Sequence, residues 1–386
     1  MSRSKQSDIP VEIHCPKCDY RAVVRREVAR KQTLCPNCIQ PLPRKGRTKD
    51  GRVKQLLKAG DFLRNIPAAR HACADLKPGG PVALRLIHTQ THIKSSDDLE
   101  MVWNHALFCQ IGLPYRDPGD QVREWERKNG NLFLKVHAGE ALNPDTEQWV
   151  KLGLPWGPKV RLVQIYLDTQ AVKTQSPIIE TDSSLTSFIT EKLKLHSKGR
   201  NNILIKDALA RLAASTFRIG SLIEKGARTK PALPIVEDFD VWFAKDERQR
   251  VLFPSFVQYT QRYYEDLVQH AVPLLEGAVA ALSHNAMALD IYRWLAHRLH
   301  RINPSCPVLL FWNVVHEQFG GPARLDNFRR EFSQALSEVL AVYPQAQGSV
   351  YIDGNQTAGR FKNGRGLWLC HAEPPVKKHQ VQVLIG

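Results

Sequence analysis

RLDNFRREFSQALSEVLAVY, residues 324–343, is the stretch on which the reading of the chain turns. Leu325, Phe328, Phe332, Leu336, Val339 and Tyr343 recur at steps of three and four, which lays one apolar stripe along a helix. Asn327 and Gln334 fall on the opposite face with Arg330 beside them, and Arg324 flanks the start. Arginine, asparagine and glutamine can grip guanine and adenine edges with paired hydrogen bonds. Upstream lies a shorter segment, WNVVHEQF, with Trp312, Val315 and Phe319 on one side, followed by the break Gly320-Gly321-Pro322. Downstream come GSVYIDGN, a glycine-rich basic loop holding Arg360, Lys362 and Arg365, and then LWLCH. Short helix, tight turn, long helix and basic β-wing is the order of a winged helix-turn-helix. A plain helical hairpin would share the apolar stripe, but it would not need the basic hairpin behind it.

The same order is expected once more upstream. GPKVRLVQIYLDTQAV opens a helix at Pro158, with Val160, Val163, Ile165 and Leu167 as its core residues. SPIIE is a short strand, and DSSLTSFITEKLKL a helix with N-cap candidates from Asp182 to Ser184. After the polar turn HSKGRNN, a second helix buries Ile205, Ala208, Leu209 and Leu212, leaving Lys206 and Arg211 elsewhere on its surface as candidate DNA contacts. RIGSLI, a loop KGARTKP, FDVWF and VLFPSFVQYT then supply an extended hairpin. In front of this unit, Asn129-Gly130 between two β-rich runs marks a hairpin expected to preface the domain. HTQTH, with His88 and His92, has the β-branched character of a strand and not of a metal site. ALSHNAMALDIYRWLAHRLHRI is a long amphipathic helix ended by Asn303-Pro304, its histidines core or surface groups.

The first residues differ in kind. Cys15, Cys18, Cys35 and Cys38 stand in the spacing C-x2-C-x16-C-x2-C, which fits a four-cysteine zinc ribbon. Four thiolates close a tetrahedron around Zn2+, so the expected role is structural, and metal binding would supply the folding energy of so small a segment. His14 is a neighbour of that site and not a ligand. Cys73, Cys109, Cys306 and Cys370 are expected as reduced core residues. Net charge is +16, and residues 21–64 alone carry +10 of it. Arg44, Lys45 and Arg47 belong to that basic arm, where glycine and proline interleave with cations that can lie on phosphate.

From about Leu107 to Val376 the chain resembles the plasmid-encoded RepA family of replication initiators. LFCQIGLPYR, the RKNGNLFLKVHAG hairpin, FDVWFAKDERQRVLFPS, HAVPLLEGAVAALSHNAMALDIYRWLAHRLHRI and FRREFSQALSEVLAVYP carry the resemblance. It implies binding to double-stranded origin DNA, often at repeated sites, followed by local opening and recruitment of a replicative helicase, with a host initiator as a further partner. It also implies autorepression by a homodimer. HSKGRNN departs from the glycine-rich turn of the family's pattern, and the ribbon and arm lie outside it. The expected class is therefore α+β, with two tandem winged-helix domains behind a small N-terminal four-cysteine zinc ribbon. The boundaries expected are ribbon 1–42, arm and linker 43–100, first winged helix 101–262, second 263–376 and tail 377–386.

Competing classes find little in the sequence. There is no G-x-x-x-x-G-K-[ST], no paired-histidine signature of a nickase, and HRLHR lacks the accompanying residues of a strand-transfer enzyme. A stand-alone transcriptional regulator would share the DNA-reading helix, but would seldom need two such units and a ribbon. No apolar run approaches the length of a membrane span and the N-terminus lacks a secretory core, so a cytoplasmic protein is expected.

Overall fold

A computed structural model describes residues 10–14, 21–25, 81–96, 99–143, 146–181, 199–223, 226–229, 233–239, 256–321, 323–352 and 366–376. Strands β1 (Pro10–His14) and β2 (Arg21–Arg25) pair antiparallel with His14 opposite Arg21. Cys15 and Cys18 belong to the connection 15–20, which lies outside the described residues together with Cys35, Cys38, Arg44, Lys45 and Arg47.

Helix α1 (Pro81–Ser95) stands where HTQTH was expected to be a strand. Leu86 and Ile93, seven residues apart, bury one face, and α1 packs against two later helices, Glu276–Leu282 and Leu325–Val342. The Thr91 hydroxyl donates to the Ile87 carbonyl at 3.0 Å, a bond that only a helical turn offers. Tertiary burial thus outweighs β-branched propensity here.

The first unit opens with β3 (Met101–His105) and the short α2 (Ala106–Gln110). Next come β4 (Glu124–Asn129), β5 (Leu132–His137), β6 (Glu140–Asn143) and β7 (Gln148–Lys151). Helix α3 (Gly157–Thr174), strand β8 (Ile178–Glu180) and helix α4 (Gly199–Ala214) follow; the helix expected over 182–198 lies outside the described residues. The unit continues through β9 (Thr216–Ile223), β10 (Gly226–Thr229), β11 (Leu233–Pro234), β12 (Val236–Phe239) and β13 (Phe256–Tyr259) to helix α5 (Gln261–His270). One sheet has the order β12–β13–β8.

Two expectations change in this unit. The Asn129-Gly130 hairpin forms, with Asn129 opposite Leu132 and Gly130 at φ 57°. It is no preface, because β5 pairs along its other edge with β9 and so enters the five-stranded sheet β10–β9–β5–β4, with β11 on β9. The supposed loop KGARTKP contains β10, whose Gly226 pairs with Ile223 and so covers the free edge of β9.

The second unit also opens on a strand followed by a short helix. Strand β14 (Ala271–Leu275) leads to α6 (Glu276–Leu282) and α7 (Ala286–Arg298). Then come β15 (Val308–Phe311), α8 (Trp312–Phe319), α9 (Leu325–Val342), β16 (Val350–Ile352) and β17 (Gly366–Leu369). Its sheet order, β15–β17–β16, places the third strand beside the first, as β13 lies beside β8 in the first unit. The class is mixed α+β with small sheets.

The units share one core. β3 pairs antiparallel with β14, Met101 opposite Leu275 and Trp103 opposite Pro273. Helices α3 and α7 pack beside this pair and carry charges into the core. Arg161 of α3, fully buried, donates to both carboxylate oxygens of Asp290 on α7 at 2.7 Å. Its other bonds go to the carbonyls of Leu113 (2.7 Å), Pro114 (3.1 Å) and Gly157 (2.8 Å). Gly112 makes room for the pair: a Cβ there would lie 1.9 Å from an Asp290 oxygen. Arg293 also binds Asp290, and donates to Asn104 Oδ1 at 2.9 Å. Burial alone would raise the Asp290 carboxyl, but Arg161 and Arg293 outweigh it and hold the group below the usual carboxylate range. Asp168 accepts from Asn104 Nδ2 (2.8 Å), His105 N (2.9 Å), Tyr259 (2.8 Å) and Tyr263 (3.0 Å), yet burial still raises its carboxyl.

Candidate nucleic-acid interface

The site is built on the corner between α8 and α9. Trp312, Val315 and Phe319 of α8 are buried, as are Phe328, Phe332, Leu336, Val339 and Tyr343 along α9. Their rings interlock: Trp312 meets Phe332 at 5.9 Å between centroids and Phe328 at 6.4 Å, both edge to face, while Phe319 tilts onto Phe332 at 5.4 Å. This cluster fixes how α9 crosses α8. Gly320 ends α8, its N–H bonded to the His316 carbonyl at 2.7 Å. A Cβ at Gly320 would come within 2.3 Å of that carbonyl oxygen, so only glycine fits. The His316 ring spans the turn, its Nε2 donating to the Ala323 carbonyl at 3.0 Å. Asp326 in the first turn complements the helix dipole.

Asn327, Arg330 and Gln334 are exposed on α9, on the side away from the ring cluster, and Arg324, exposed too, caps the helix start in extended conformation. Arg329, one residue away, is half-buried: its guanidinium lies 5.6 Å over the Trp312 ring and 3.7 Å from Asp326. It is a packing residue. Three nearby acids are matched by cations. Arg329 faces Asp326, Arg116 reaches Glu331 at 3.5 Å, and Lys128 reaches Glu317 at 3.5 Å. Such exposed pairs add little stability. They do offset negative charge on a face that would otherwise repel phosphate. Arg116 and Lys128 belong to the first unit, and sequence reading gave no reason to bring them here. Arg360, Lys362 and Arg365, assigned to the wing between β16 and β17, lie outside the described residues.

The first unit offers less. Ile205, Ala208, Leu209 and Leu212 bury the expected face of α4. Lys206 is half-buried, and burial pulls its ammonium down to about 8, so it is a weaker cation than a surface lysine. Arg211, the other expected DNA contact of this unit, is turned toward its own unit. Only 14% of its side chain is exposed; Nε lies 2.8 Å from Asp207, and its terminal nitrogens lie 3.7 Å from Asp120 and 3.9 Å from Asp117. The two aspartates come from the connection before β4, and Gly153 lies so close that a Cβ would sit 2.0 Å from Nη1. Arg211 is an internal tie, already surrounded by carboxylates.

Among the described residues no group of three or more His, Cys, Asp or Glu could hold a metal ion. The four cysteines of the expected ribbon are outside them. Cys109 is buried with its thiol pushed up to about 12, while Cys306 and Cys370 are half-buried and free. His284 accepts a 2.6 Å contact from Arg85 and lies 3.3 Å from Glu338, so it is a structural neighbour of α1 and α9. No helix among the described residues is long and apolar enough to cross a membrane.

Residues 154–308 match the family model RepA_C, described as plasmid encoded RepA protein. No curated protein matches the chain by sequence. Among solved structures, selenomethionine derivatives of domain 2 and domain 3 of RctB align at 8% identity and a TM-score of 0.42, covering 68% of this chain and 95% of that one. RctB domains 2–3 align at 11% identity and a TM-score of 0.39, covering 64% and 86%. Likenesses of that degree leave the fold to be described from the chain's own elements. It is through residues 154–308, from the residue after Gly153 to the start of β15, that the chain carries the signature of the plasmid-encoded RepA family.

Proposed function

We propose that the protein is a plasmid replication initiator that binds origin DNA sequence-specifically. Its two units act as tandem winged helices, and α9 is the principal reader. The observation that carries this reading is the exposure of Asn327, Arg330 and Gln334 together on a helix whose other face is locked into the core, with Arg324 exposed at its start, in a chain with the RepA signature. Side chains of α9 meet base edges in the major groove, while Arg360, Lys362 and Arg365 meet phosphates. Opening of the origin and engagement of a helicase follow from binding, with no catalytic step by this chain. Replication of an origin fragment with the protein supplied in trans tests the reading. Failure to replicate, together with equal affinity for origin and scrambled DNA, would refute it.

The N-terminal residues supply a second, less selective contact. Cys15, Cys18, Cys35 and Cys38 hold one structural zinc, and Arg44, Lys45 and Arg47 of the arm add phosphate affinity. The described strands β1 and β2 support the ribbon, because their pairing brings both ends of the Cys15-x2-Cys18 connection together. Elemental analysis should find about one zinc per chain, lost on changing Cys35 and Cys38 to serine. Deleting residues 1–64 should weaken binding to all DNA and flatten the salt dependence. A deletion that alters sequence preference but leaves the salt slope intact contradicts this role.

A further inference from the structure

The corner that aims α9 opens on two glycines, Gly320 and Gly321, and within the second unit the His316 ring spans it to the Ala323 carbonyl. A brace comes from the first unit. Arg127 of β4 donates from Nη2 to the Gly320 carbonyl at 2.9 Å. The residue is only 8% exposed, and its guanidinium is held 4.8 Å from the Tyr115 ring centroid and 4.7 Å from that of Trp125. Contact with two rings and burial restrict the positions the guanidinium can take. On one side Lys128 meets Glu317 of α8. On the other, the Gln110 carbonyl at the end of α2 accepts from Gln318 of α8 at 3.0 Å and from Asn129 of β4 at 2.8 Å. The first unit therefore grips the end of α8 and the backbone of the turn.

We propose that Arg127 is a positioning residue for sequence recognition: its bond to the Gly320 carbonyl sets the angle at which α9 is presented. This rests on the reading of α9 as the base-contacting helix. The ring cluster around Trp312 fixes α8 against α9 from inside the second unit, and Arg127 fixes the corner between them from outside. The bond is charge-assisted and almost fully buried, a class whose loss changes local equilibria by about tenfold or more.

The experiment uses the full chain with Arg127→Ala and Arg127→Lys. Without DNA, hydrogen exchange at the corner amides, including Gly320, should quicken about tenfold or more in Arg127→Ala while amides of α7 keep their protection. With DNA, the ratio of origin to scrambled-fragment affinity should fall about tenfold while scrambled-fragment affinity stays unchanged. Arg127→Lys keeps the charge but not the planar group held between the two rings, and should recover only a minor part of both. Unchanged corner exchange, or protection lost evenly across the protein, overturns the proposal even where origin binding persists. An unaltered protein that shows no preference for its origin overturns instead the reading of α9, whatever the exchange shows.

Discussion

Asp290→Ala removes the one carboxylate that lies between two buried guanidinium groups. Arg161 and Arg293 are each almost wholly shielded from water, and both bond to Asp290. Without it Arg161 keeps three carbonyl partners, in Leu113, Pro114 and Gly157, but loses both bonds to its counter-ion. Arg293 keeps Asn104 Oδ1, a neutral acceptor. Breaking a buried pair by deleting one partner costs about 3–5 kcal/mol, and here the deletion strands two charges, so the upper end is expected. That is a large part of the roughly 5–15 kcal/mol that holds an ordinary domain together. Urea titration followed by far-ultraviolet circular dichroism should show an earlier midpoint with a similar slope. The companion variant is Arg161→Met with Asp290→Met, which should cost less than Asp290→Ala alone because neither buried charge of that pair remains. A loss below about 1 kcal/mol for Asp290→Ala, or a double variant as costly as the two single changes added, would refute the account.

Arg330→Ala should cost about 1–3 kcal/mol of origin affinity and relax preference at one base position, whereas Arg365→Ala should weaken all sequences alike and lower the salt slope by about one; competition titrations at several salt concentrations measure both. Arg329→Ala should destabilise the fold by about 1 kcal/mol through lost stacking on Trp312, with base preference unchanged, as paired melts and binding assays would show. His297 is held neutral by burial, reinforced by Arg301, His300 and Arg298, and its value falls to about 3. An unfolded histidine takes up a proton near 6.5, so this group's contribution is complete above that pH. It is lost as pH falls from 6.5 towards about 3, at up to about 1.4 kcal/mol per pH unit. His297→Gln should flatten stability between pH 6.5 and 4, and urea titrations across that range would expose a slope that failed to change.

The α9 stripe was legible in the helix's first half, where Phe328 and Phe332 are buried and Asn327, Arg330 and Gln334 exposed; from Ala335 to Val342 every residue is buried, Ser337 and Glu338 included, which periodicity did not show. Helix α3 was legible only in part. Val160, Val163, Ile165 and Leu167 mark it as a helix, but Arg161, Gln164 and Asp168 are buried too. Periodicity assigns polar residues to solvent and cannot know that β3 brings Asn104 to Asp168 or that α7 of the second unit brings Asp290 to Arg161. The same reason placed Arg211 on a DNA-facing surface, since Asp117 and Asp120 come from a connection far away in sequence. HTQTH misled through local propensity, which the packing of Leu86 and Ile93 overrides. Arg116 and Arg127 left no sequence signal at all, because their roles exist only once the units are docked.

The antiparallel pair of β3 and β14 makes the two units inseparable as the chain is synthesised. Every residue of β3 is buried, yet its partner strand is not made until Leu275 has left the ribosome. Until then the whole first unit waits with an apolar strand edge unmatched, a surface on which chains associate. Pairing over so long a separation is slow, so this edge is among the last to be satisfied. A cut between 262 and 263, the boundary expected between the two units, would fall inside α5 and leave that edge open for good.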